Sequence, residues 1–168
     1  MNRTIVLAVD AARHSRPGTA AWHVAAAAKE TLELSRETGD RVLVLHVHEF
    51  AHGRFGRLQV DCAEGEGEKV VDEIVSDLKS AGVTADAEIR TADYGHIART
   101  ILTAAQECDA RIVVLGSSSR TDLPYLPFGS VSTRLLHLAR RPVLIVPWKE
   151  AGAREPGQAQ RTASPARP

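Results

Sequence analysis

The chain has 168 residues, 43% hydrophobic and 25% charged, with 21 acidic and 21 basic side chains in balance. This is the size and composition of one soluble domain with a real core, and the neutral balance gives no electrostatic footprint for nucleic acid or an anionic membrane. Two cysteines, Cys62 and Cys108, are too few for a disulfide framework, and the apolar run Ile5–Val9 is too short for a secretion signal or a membrane span, so a cytoplasmic protein is expected.

In chain order, "TIVLAV" (4–9) is a continuous apolar run with β-branched residues, as in a strand buried on both faces. Ala21, Val24, Ala25, Ala28 and Leu32 then recur at helical spacing until Gly39 stops the helix. "VLVLHV" (42–47) predicts a second buried strand. A loose stretch rich in glycine and charge follows, leading into a helix with Val71, Ile74, Val75 and Leu78 on one stripe and Gly82 at its end. "VTADAEI" (83–89) alternates as a half-exposed edge strand does. Ala98, Ile101, Leu102 and Ala105 mark a third helix, and "RIVVL" (111–115) a fourth strand. After a long loop, Val131, Leu135 and Leu138 mark a fourth helix, and "PVLIVP" (142–147) a fifth strand. From Lys149 onward proline, glycine, alanine and polar residues dominate, so 1–148 is read as the domain and 149–168 as a disordered tail.

Five strands alternating with four helices call for an α/β fold: a single open, parallel, doubly wound sheet with helices on both faces. If the strand order is 3-2-1-4-5, it reverses between strands 1 and 4, and ligands in such sheets sit beyond the carboxyl ends of the strands at that point. Strand 1 runs out at Val9 into Asp10, and strand 4 at Leu115 into Gly116. The stretch "GSSSRTDLPYLPFGSVS" (116–132) therefore falls where this fold places a site. Its end, Gly129, Ser130, Val131 and Ser132, opens the fourth helix, whose free N–H groups and dipole attract anions. The plainer alternative makes Ser130 a simple N-cap bonded to the N–H of Ser132 or Thr133, and Asp10 a turn-forming aspartate.

Over roughly residues 3–148 the chain resembles the universal stress protein family. The residues that carry the likeness are "IVLAVD", "VLVLHV" and "RIVVLGSSSRTDLPYLPFGSVSTRLLHLARRPVLIVP". The ATP-binding branch of that family carries G-x2-G-x9-G-[ST] between the fourth strand and fourth helix; Gly116, Gly129 and Ser130 match it, and Ser119 stands where the second glycine belongs. The resemblance implies a Rossmann-like fold and a stress-response binding or signalling module that takes ATP with Mg²⁺. Val9 and Asp10 would line the adenosine side, with Val47 offering backbone hydrogen bonds to adenine. Leu115 and Gly116 at the strand end would join Ser119, Gly129, Ser130, Val131 and Ser132 around ribose and phosphates. It also implies homodimers paired through the last strand, Pro142 to Pro147. A second branch of the family does not bind ATP, and substitution at these glycines goes with it. The rim is also stiffened by Pro124, Tyr125, Pro127 and Phe128, with Arg120 its only base, so a nucleotide-free dimeric interaction protein is the alternative.

Other chemistries are poorly matched. No P-loop, no G-x-G-x-x-G and no G-x-S-x-G nucleophile elbow is present, and no catalytic residue is expected; slow ATP hydrolysis is a third reading, with no general base to name for it. A phosphoacceptor receiver domain shares the five-stranded architecture and would use Asp93, Ser117 and Lys149, but Ala11 and Ala12 follow Asp10 where a second acid should stand. His14, His46, His48 and His52 cluster early, and His46 and His48, two apart on a strand, point to one face with Cys62 following. Their spacing fits no strong metal pattern, so no metal is expected, and His46 is read as a polar cap on the core. The stress, any protein partner and the downstream effect have no signature in the sequence.

Overall fold

The computed structural model describes residues 3–11, 21–54, 56–117 and 129–147, with the backbone alone at Ala21 and Trp22. Ser119, Arg120, the proline-rich rim, His14, Lys149 and the tail lie outside the described residues. The elements are β1 (Thr4–Val9), α1 (Ala21–Thr38), β2 (Arg41–Gly53), β3 (Gly56–Gln59), α2 (Glu66–Ser80), β4 (Ala85–Asp93), α3 (Ile97–Glu107), β5 (Ala110–Ser117), α4 (Ser130–Leu138) and β6 (Val143–Pro147).

The parallel strands lie in the order β4-β2-β1-β5-β6, which is the expected 3-2-1-4-5. The period of two in each strand divides the core. Ile5, Leu7 and Val9 of β1 join Val42 and Val44 of β2 against Val24 and Ala27 of α1 and Val71, Val75 and Leu78 of α2. Val6, Leu45, Val47, Val113 and Leu115 face the other way, against Ala98, Ile101 and Ala105 of α3 and Leu135 of α4. Two helices thus cover each face, and each fully buried Ile, Leu or Val contributes roughly 1.5–3 kcal/mol from leaving water. Gly39 and Gly82, the two expected helix stops, follow α1 and α2 at φ 72° and 85°, where a side chain is strained.

Three expectations are corrected. The loose stretch after the second strand is a hairpin, so the sheet has six strands: β2 continues to Gly53 and pairs antiparallel with β3 from Phe50 to Gly53. The reason is that β2 outruns β1, which ends opposite His46, and its overhanging backbone groups need partners. The edge strand lies at Ala85–Asp93, longer and later than 83–89. On α1, Ala25 is exposed while Val24, Ala27, Thr31 and Ser35 face inward. The two hydroxyls tolerate burial because Thr31 donates to the Ala27 carbonyl at 2.8 Å and Ser35 to that of Asp40 at 2.6 Å.

The receiver reading fails on topology. Such domains follow the order 2-1-3-4-5, whereas here β4, which ends in Asp93, is separated from β5 and Ser117 by both β2 and β1. Asp93 instead faces His52 at 3.2 Å and Arg57 at 3.8 Å on the exposed hairpin.

Candidate functional site

β1 and β5 are neighbours whose next helices, α1 and α4, cover opposite faces of the sheet, and a cleft of about 280 Å³ opens beyond their carboxyl ends. That volume is near the lower end for small-molecule sites, roughly 300–1,000 Å³. Val9, Asp10, Val47, Leu115, Gly116, Gly129, Ser130, Val131 and Ser132 all line it. Every described residue of the expected nucleotide set therefore reaches one cleft; Ser119 lies outside the described residues. Val9 at the end of β1, Leu115 near the end of β5 and Val47, in the middle of the longer β2 just past the end of β1, form its apolar floor, while Asp10 and Ser130 are exposed at the mouth.

Two glycines have roles that differ from the simplest reading. Gly129, not Ser130, is the N-cap of α4, in an extended conformation (φ −64°, ψ 167°), and its carbonyl accepts the Thr133 N–H at 2.9 Å. Ser130 stands one position further in, as the first helical residue, so capping is not its role. The N-terminal end of α4 thus faces the cleft with the positive end of its dipole. Gly116 meets α1: a Cβ there would stand 2.3 Å from the His23 carbonyl oxygen and 2.8 Å from its carbon. This glycine is required by the close approach of helix backbone to strand end, whatever the cleft holds.

Several lining residues carried no warning in the sequence. His23 and Val24 come from the start of α1, Ile97 and Ile101 from α3, and Glu49, Val60 and Asp61 from the hairpin and the segment after it. The apolar stripe of α3 made Ile101 visible as core, but only the sheet geometry brings it over the cleft. Glu49 fixes the turn before α3, since its carboxylate accepts the Gly95 N–H at 2.7 Å. Among the described lining residues there is no lysine or arginine, and three acids, Asp10, Glu49 and Asp61, are present.

One wall of the cleft is a polar cluster. His46 and His48 sit on the α2 face of β2, two residues apart as the strand period requires, and both are buried. Asp61 Oδ2 lies 3.0 Å from His46 Nε2 and 3.0 Å from His48 Nδ1, and accepts from the Cys62 thiol at 3.2 Å. The other Asp61 oxygen accepts the Glu49 N–H at 3.1 Å. Burial works to raise the Asp61 carboxyl, but the bonds from Cys62, His48 and the backbone outweigh it and hold the group below the usual carboxylate range. Burial, reinforced by the bond to Asp61, pushes the Cys62 thiol up to about 12. The histidines were visible in the sequence; Asp61, the residue at the centre, was not singled out by any spacing.

Comparison with known proteins follows the same lines. The profile of the universal stress protein family matches residues 1–147. Among solved structures, a protein of that family from Burkholderia pseudomallei is 21% identical, with a TM-score of 0.60 over 86% of this chain and 96% of its own. A universal stress protein from Archaeoglobus fulgidus is also 21% identical, with a TM-score of 0.63 over 87% of this chain and 94% of its own. A third, from Archaeoglobus fulgidus and in complex with dAMP, is 20% identical with a TM-score of 0.58, over 86% of this chain and 97% of its own. A fourth, in complex with cAMP, is 18% identical with a TM-score of 0.58, over 86% and 96%. At these identities the likeness shows the fold. A search of curated proteins finds no match.

Proposed function

This chain belongs to the universal stress protein family, and on that premise we propose that it is a stress-response binding module whose cleft takes ATP or a related adenine nucleotide. The observation that supports this most is the convergence of nine residues, from Val9 and Asp10 through Gly129 and Ser132, on one cleft at the reversal of strand order. The dAMP and cAMP complexes of two relatives support an adenine ligand. In this reading Val9 and Asp10 flank the adenosine, the Val47 backbone meets the adenine, and Leu115 and Gly116 close the floor beneath the ribose. Ser119, Gly129, Ser130, Val131 and Ser132 surround the phosphates, with the α4 dipole as the fixed positive end. Mg²⁺ accompanies ATP and offsets the repulsion between its phosphates and the acids Asp10 and Glu49. No catalytic role is assigned to any residue.

The second reading is a nucleotide-free interaction protein acting through a protein partner. It is favoured by an acidic lining without a described lysine or arginine and by Ser119 in place of glycine. Calorimetric titration with ATP, with and without Mg²⁺, separates the two. Wild type is expected to bind. If position 119 requires a positive φ, Ser119→Gly relieves about 1–2 kcal/mol and tightens binding roughly tenfold. Gly129→Glu puts a side chain and a negative charge at the helix start and abolishes binding. Absence of heat from all three proteins establishes the second reading instead.

In both readings the protein is a cytoplasmic homodimer. β6 pairs with β5 on one side, and among the described residues its other edge carries no strand; an exposed edge invites pairing with a second copy. The interface would run from Pro142 to Pro147. Sedimentation equilibrium at micromolar concentration is expected to give the dimer mass, and a monomer rejects the interface. No helix among the described residues is long and apolar enough to cross a membrane. The tail, 149–168, has the composition of a solvated extension; its cleavage by protease ahead of residues 1–148 is the expected signature.

A further inference from the structure

The cluster on the cleft wall gathers two buried imidazoles, a carboxylate and a thiol around one point. His46 Nδ1 stands 3.0 Å from the Val9 carbonyl, which can only accept, so that nitrogen carries the proton and Nε2 presents its lone pair. His48 Nε2 stands 3.1 Å from the Glu68 carboxylate, so it donates there and Nδ1 presents its lone pair. The Gln59 amide nitrogen fits this tautomer, standing 2.9 Å from His48 Nδ1 while it donates to the Cys62 carbonyl at 3.0 Å. When both rings are in these neutral tautomers, His46 Nε2 and His48 Nδ1 each turn a lone pair toward Asp61 Oδ2 from 3.0 Å, the arrangement in which a cation replaces the bridging protons. Cys62 Sγ completes the group, 3.8 Å from each imidazole nitrogen and 3.2 Å from the carboxylate.

One ligand atom from each of His46, His48, Asp61 and Cys62 lies within 4.8 Å of all the others. In a tetrahedral zinc site, bond lengths of about 2.0–2.3 Å put neighbouring ligand atoms roughly 3.3–3.8 Å apart. Five of the six separations, 3.0 to 3.8 Å, approach those edges, and the sixth, between the two imidazole nitrogens, lies within 4.8 Å. We propose that His46 Nε2, His48 Nδ1, Cys62 Sγ and an Asp61 carboxylate oxygen form a structural zinc site. Two neutral imidazoles, a thiolate and a carboxylate sum to the charge that a divalent cation cancels. The mixed nitrogen, sulfur and oxygen set favours Zn²⁺ over Mg²⁺ or Ca²⁺, which take all-oxygen shells. Four protein ligands fill a tetrahedron and leave no open position for catalysis.

The surroundings are built for this purpose. The Val9 carbonyl and Glu68 carboxylate hold the second nitrogen of each ring, the outer partners that orient metal-bound histidines. Gly67, at the start of α2, lies against both rings: a Cβ there would stand 2.4 Å from His46 Cδ2 and 2.7 Å from His48 Cε1. The ion would tie three segments together, the end of β2, the turn at 61–62 and, through Glu68, the first turn of α2. Binding displaces the Cys62 thiol proton to solvent.

The test uses the full-length chain without a histidine tag and without nucleotide, so its outcome is independent of the cleft's ligand. Chelator-treated protein is titrated with Co²⁺ as the spectroscopic probe and with Zn²⁺ in competition. Expected are one equivalent of Co²⁺, visible absorption of tetrahedral intensity, a thiolate-to-cobalt charge-transfer band, and loss of both on adding Zn²⁺. Cys62→Ala removes the charge-transfer band, Cys108→Ala keeps it, and Glu68→Gln weakens affinity about 10–100-fold. Octahedral, pale Co²⁺ spectra from the wild type, or a charge-transfer band that survives Cys62→Ala, overturn the assignment. The wild-type spectrum alone decides the matter if a variant does not fold, as circular dichroism will show.

Discussion

Replacing Gly116 by alanine separates two explanations for a glycine that the family motif and the packing both demand. The added Cβ would meet the His23 carbonyl oxygen at 2.3 Å, where ordinary contact begins near 3.4 Å. Both partners are backbone, one on β5 and one in the first turn of α1, so no side chain can rotate away. The start of α1 must retreat by about 1 Å or β5 must bend, an overpacking strain of about 1–3 kcal/mol. For a domain of this size each kcal/mol lowers Tm by about 2–4 °C, so a fall of about 2–12 °C is expected. His23 and Val24 also line the cleft, so the same retreat widens it and weakens ATP binding. Thermal unfolding followed by circular dichroism gives the first number and titration calorimetry the second. An unchanged Tm with binding lost would refute the packing account and return Gly116 to the phosphates alone.

Leu135 is fully buried between α4 and the sheet; Leu135→Ala should cost about 2–5 kcal/mol in urea unfolding and blur the helix that opens onto the cleft. Asp40 gives a pH dependence. Burial would raise its carboxyl, but the Arg3 N–H at 2.8 Å and the Arg111 guanidinium at 3.0 Å outweigh burial and hold it below the usual range. Its contribution is therefore fully present above the unfolded value of about 3.9 and is lost as pH falls through the lower folded value. Asp40→Asn should lower stability at neutral pH and flatten the acid limb of a stability–pH curve. An acid limb identical to wild type would show that Asp40 has no part in it.

The parallel sheet was legible because each central strand is a short unbroken apolar run, and such runs need cover on both faces. Gly39 and Gly82 fixed two helix ends for a reason visible in one residue. The phase of α1 was harder, since Ala25 and Ala27 look alike in sequence. Thr31 and Ser35 look polar until their hydroxyls are seen to bond within the helix and to Asp40. The hairpin escaped because "HEFAHG" and "GRLQ" show neither a steady alternation nor an apolar run. Its existence follows from the unequal lengths of β1 and β2, a relation between distant segments. The cleft residues at strand ends could be placed from topology alone. Asp61, central to the polar cluster, could not: its partners lie 13 and 15 positions away, and only the return of β3 brings them together.

The hairpin has an evolutionary corollary. It leaves β2 at Gly53 and returns along that same strand to reach α2, without altering a single parallel crossover. A segment arranged in this way is a cassette: it can be lengthened, shortened or exchanged while the order β4-β2-β1-β5-β6 stays intact. Two of the four cluster residues, Asp61 and Cys62, follow the returning strand, while the histidines belong to the permanent scaffold. Change in this one short insert would thus redraw one wall of the cleft and leave the core untouched.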